Sequence, residues 1–100
     1  MIRFLSVVVC AALASPVLAD EAKVEDCGYQ SDVVAAVQAA RVARVGERKV
    51  ADHVAGTGPL WPEKYNAVIP LVTPWVYSMK RSEVREADLA ASWKELCLTQ

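Results

Sequence analysis

Two cysteines, Cys27 and Cys97, set the strongest limit on what this chain can fold into. They span most of a chain of 100 residues. If they pair, both flanks of the fold must meet. Chain-entropy arguments value closure of so long a loop at roughly 4 kcal/mol. A core of about 80 residues seldom supplies more than about 3–5 kcal/mol by itself, so a staple of that size decides whether the fold is stable. Disulfides persist in oxidising compartments, so the pair also bears on where the chain resides.

Residues 1–19 read as a secretory signal. Arg3 supplies the positive start, Phe4 to Ala14 run without charge, and Ser15-Pro16 ends the run. Val17 and Ala19 then stand at −3 and −1 before Asp20, as a signal-peptidase site requires. As a helix the run covers roughly 16 Å, against the ~30 Å of a hydrocarbon core. The third cysteine, Cys10, follows Val9, where a lipoprotein site needs a small residue. Cleavage after Ala19 removes one basic residue and leaves a single domain, 20–100, with a net charge of −2. The expected location is the periplasm. A charge so close to neutral gives no electrostatic case for nucleic acid.

Residues 20–30 hold Asp20, Glu21, Glu25 and Asp26 against Lys23, and are expected to form a mobile acidic arm, with a turn at Gly28. Ser31 or Asp32 is expected to cap the first helix by accepting from free backbone N–H groups. From there the Val and Ala positions 33, 34, 37, 40 and 45 repeat at helical spacing, with Gly46 a candidate break. Gly56-Thr57-Gly58-Pro59 is a stop. Tyr65, Ile69, Val72, Val76 and Met79 recur at spacings of four and three, with Val68, Leu71 and Trp75 beside them. So wide an apolar face predicts a central helix, kinked at Pro70 and Pro74 or built from two pieces meeting near Pro70. Ser82 is expected to cap the last helix, ahead of Leu89, Trp93 and Leu96. No segment alternates as a strand does. The expected fold is all-α: a small bundle of three to four short helices, stapled by Cys27–Cys97.

Catalytic patterns are missing from this sequence. One histidine, His53, and no Cys-x-x-Cys or His-x-x-x-His spacing argue against the usual zinc sites and against c-type haem. There is no P-loop, Gly-x-Gly-x-x-Gly or Gly-x-Ser-x-Gly run. The expectation is a protein without cofactor or metal, and not an enzyme. Two features suit binding instead. Arg41, Arg44 and Arg48, with Lys49, form a basic stripe that either docks an acidic partner, phosphate or anionic lipid, or simply meets internal acids and solvent. Trp61 and Tyr65 lie beside a Gly/Pro turn, where an exposed aromatic anchors a partner.

An exported helical chain with one cysteine pair, Cys27 and Cys97, is similar in outline to the acid-activated periplasmic chaperones of the HdeA type. The cysteines of that family lie closer in sequence. The likeness implies unfolding at low pH that exposes apolar surface such as Tyr65 to Met79. Ahead of it stands an accessory subunit or adaptor that binds a protein partner in the cell envelope. A carrier of a small apolar ligand, held beside Pro70 and Pro74, is the other expectation.

Overall fold

The computed structural model describes residues 16–100, with side chains from Asp20 onward. The expected signal sequence therefore lies outside the described residues, apart from Pro16–Ala19, which open the first helix. Among the described residues there are five α-helices and no strand. α1 is Pro16–Val42, α2 Val50–Gly56, α3 Val68–Ser78, α4 Arg81–Glu86 and α5 Leu89–Leu98. Short 3₁₀ turns at Glu47–Lys49 and Glu63–Ala67 lead into α2 and α3. The fold is all-α, with more helices than expected and one of them long.

That long helix, not α3, is the centre of the molecule. α1 packs against α2, α3, α4 and α5. Its 27 residues reach about 40 Å. Val33, Val34, Val37 and Ala40 on it are fully buried. Small side chains at these positions let three other helices approach the same stretch, which a row of Leu or Phe would hold apart. α3 answers with Ile69, Val72, Thr73 and Val76, while Leu71 on its other side stays 70% exposed. Only one face of α3 is core.

Residues 20–30 are not an arm. They are the first half of α1, and neither a turn at Gly28 nor a cap at Ser31 or Asp32 occurs. Tertiary contact overrides the local signals: Cys27 is buried in the disulfide with Cys97, and the Ser31 hydroxyl donates to the Ala90 carbonyl of α5 at 2.9 Å. Propensity alone favours helix too, since Glu, Ala and Lys are good helix formers and one glycine costs about 1 kcal/mol.

α1 ends at Val42, and the turn that stops it is made by Arg44 rather than Gly46. Arg44 has φ 66°, its N–H donates to the Arg41 carbonyl, and the Val45 N–H donates to the Ala40 carbonyl. These two bonds are a Schellman motif, which usually places glycine where Arg44 stands. Gly46 is ordinary extended backbone, φ −63°. At the next stop the sequence signal holds: α2 ends at Gly56 and Gly58 supplies φ 69°.

The prolines of α3 have separate parts. Pro70 falls in the first turn, where no N–H is needed, and Pro74 lies in the interior. The 3₁₀ turn Glu63–Ala67 and the α-helix meet at Val68, close to Pro70. The last expected helix divides in two. Asp88, not Ser82, is its cap: its carboxylate accepts from the Ala91 N–H at 3.0 Å. Gln38 of α1 holds the joint, donating to the carbonyls of Val84 and Ala87 at 2.6 and 2.7 Å.

Candidate functional site

Three kinds of side chain singled out by the sequence take different places. Tyr65 is 7% exposed and belongs to the core. Its ring lies 5.0 Å from that of Tyr29, and its hydroxyl donates to Asp26 at 2.8 Å. That hydrogen bond, then burial and the charges of Asp26 and Glu25, push its pKa up to about 12. Trp61 is half-buried against the core, with its indole N–H donating to Asn66 at 2.9 Å. Neither aromatic is a free anchor.

The disulfide end carries a polar relay and a groove. The Trp93 indole donates to Gln30 at 3.0 Å, Gln30 donates to Asp26 at 2.9 Å, and Tyr65 donates to the same carboxylate. Trp93 also lies 5.9 Å from Trp75. Between α1 and α5 a groove of about 520 Å³ is walled by Trp93, Leu96 and the cystine. A second, smaller hollow of about 240 Å³ lies beside Pro70 and Pro74. Asp26, Cys27 and Cys97 bring three potential ligand atoms within 4.8 Å. Both sulfurs are committed to each other, so no thiolate is present to bind a metal in the oxidised chain.

The basic stripe is divided by the Schellman turn. Arg48 is exposed and faces the side of α3 near Pro70 and Pro74. Arg41 and Arg44 line a cleft of about 360 Å³ that Arg81, Tyr77, Gly46 and Glu47 complete, and Arg44 also borders a hollow lined by Lys49, Asp52 and His53. Here a residue that the sequence did not single out is central. Arg81 opens α4, and the segment that precedes it runs back beside the end of α1.

Arg41 is fixed in place. Its guanidinium donates to the Met79 carbonyl at 3.1 Å and lies 5.0 Å from the centre of the Tyr77 ring. Its Nε is buried without a partner. The Tyr77 hydroxyl in turn donates to Val45 at 2.6 Å, tying α3 to the turn that carries Arg44. Burial raises the pKa of Tyr77, with the charge of Glu47 adding to it and that of Arg41 opposing.

Arg81 registers what this assembly costs. Partial burial, then the positive charges of Arg44, Arg85 and Arg41, hold its guanidinium below the ordinary arginine range. Glu47 is the single carboxylate that lines the cleft with Arg41, Arg44 and Arg81. Arginine stays charged all the same. Four guanidinia therefore share one end of α1, one of them pinned on an aromatic ring and another on a left-handed backbone. Such a cluster is matched to an anion. A signal for it exists in the sequence, Arg81 and Arg85 one helical turn apart, but Glu83 and Glu86 disguise it as a mixed, solvated face.

Comparison with known protein families, with characterised proteins and with solved structures finds no match to this chain.

Proposed function

We propose that this protein acts by binding, as an accessory subunit or adaptor of an envelope complex, and that the arginine cleft is where it meets an anionic partner. The observation that carries this is the convergence of Arg41, Arg44 and Arg81 on one cleft, with Glu47 the single acid among them. Like charges that outnumber the acids around them oppose folding, and an anionic partner turns that cost into affinity. The cystine supports an exported location, since such pairs persist in oxidising compartments. Among the described residues no helix is long and apolar enough to cross a membrane.

The test is capture from envelope extracts by the oxidised protein, beside its Arg44→Gln/Arg81→Gln variant. One stoichiometric partner is expected with the native chain. It should be lost with the variant and in about 1 M salt, where the screening length falls to about 3 Å. An empty capture, or equal capture by both proteins, overturns the proposal.

A further inference from the structure

We infer that the cleft between Arg41, Arg44 and Arg81 is a site for a phosphate monoester, taken as its dianion. This rests on the arginine cleft being the binding face and names the group it takes. The charge count selects the ligand. The cleft is lined by three guanidinia and one carboxylate, Glu47, which leaves a local charge of +2. A phosphate monoester carries −1.5 to −2 near neutral pH, with three strong acceptor oxygens. A carboxylate or a phosphodiester brings a single charge and leaves half of the repulsion in place.

Geometry agrees with charge. Guanidinium forks pair with phosphate oxygens two at a time, and Arg41 is already oriented by Tyr77 and the Met79 carbonyl. Arg44 reaches the cleft from a backbone conformation that an L-residue adopts at a cost. Strain of this kind concentrates at ligand clamps. At about 360 Å³ the cleft has room for a phosphate and part of the group that it esterifies.

The oxidised protein is titrated with inorganic phosphate, with acetate and with phosphatidylglycerol vesicles, by calorimetry and by the amide shifts of Arg44 and Gly46. Phosphate is expected to bind saturably and acetate at least about tenfold more weakly. Arg44→Gln and Arg81→Gln should each weaken phosphate binding by about tenfold, the usual worth of one charge-assisted bond. Glu47→Gln should tighten it. Near-UV circular dichroism checks that each variant is folded, and Arg41 is left intact because it packs on Tyr77. Equal binding of acetate, binding of vesicles alone, or indifference to both arginine variants overturns the inference. Arginine-dependent capture of a partner that phosphate fails to displace would sink the phosphate site and leave the proposed function standing. Phosphate binding without any captured partner would do the reverse.

Discussion

Arg44 shows how a single residue can carry opposed demands. Glycine would form the same left-handed turn without the clash of a Cβ, a conformation that costs other residues roughly 1–2 kcal/mol. Arg44→Gly is therefore expected to raise stability by about 1 kcal/mol in urea denaturation, the permissive backbone being offset in part by a freer unfolded chain. The same change should weaken phosphate binding. A variant that loses stability would mean that the Arg44 side chain supports the fold. Tyr65 makes a second prediction. Its pKa is raised from 10.0 to about 12, so the folded state favours the neutral phenol. That contribution is complete below the unfolded value and is lost as pH climbs through the folded one. Stability should thus fall between about pH 10 and pH 12, and Tyr65→Phe should flatten the fall. An unchanged alkaline profile in the variant would assign the loss to another group.

Among the elements, α4 depends most on a single side chain. It has six residues and is too short to persist alone. Gln38 from α1 supplies its anchorage through the carbonyls of Val84 and Ala87. Gln38→Ala should cost about 2 kcal/mol, two hydrogen bonds at about 1 kcal/mol each. Amide exchange in α4 should quicken more than in α1, and uniform protection across both helices would contradict that dependence. The elements also show what the sequence makes legible. Val33, Val37 and Ala40 at helical spacing, the stop at Gly56 to Pro59 and the cysteine pair all reflect local chemistry or a count of two, and each lies where expected. The first half of α1 was hidden because its acids argue for solvent, while its order comes from α5, some 60 residues away. The arginine cleft was half legible. Arg41 and Arg44 announce themselves by spacing, but only the path of the chain into α4 brings Arg81 to them.

Across the whole molecule, two regions are secured by different means. One part of α1 is bonded to α5 through Cys27–Cys97, and the other holds α2, α3 and α4 by packing and by Gln38, Arg41 and Tyr77. Reduction should lower the free energy of unfolding by roughly 4 kcal/mol, measured by denaturation with and without dithiothreitol. A loss below about 1 kcal/mol would mean that packing alone sustains the fold. The separation of 70 residues between the two sulfurs has a consequence for time as well as for energy. A chain is made from its amino end, so Cys27 emerges 70 residues ahead of Cys97. Covalent closure must await Cys97, and until then only non-covalent contacts can hold the chain. During that interval the buried valines and alanines of α1 are what an early fold can rest on, and the cross-link comes after them.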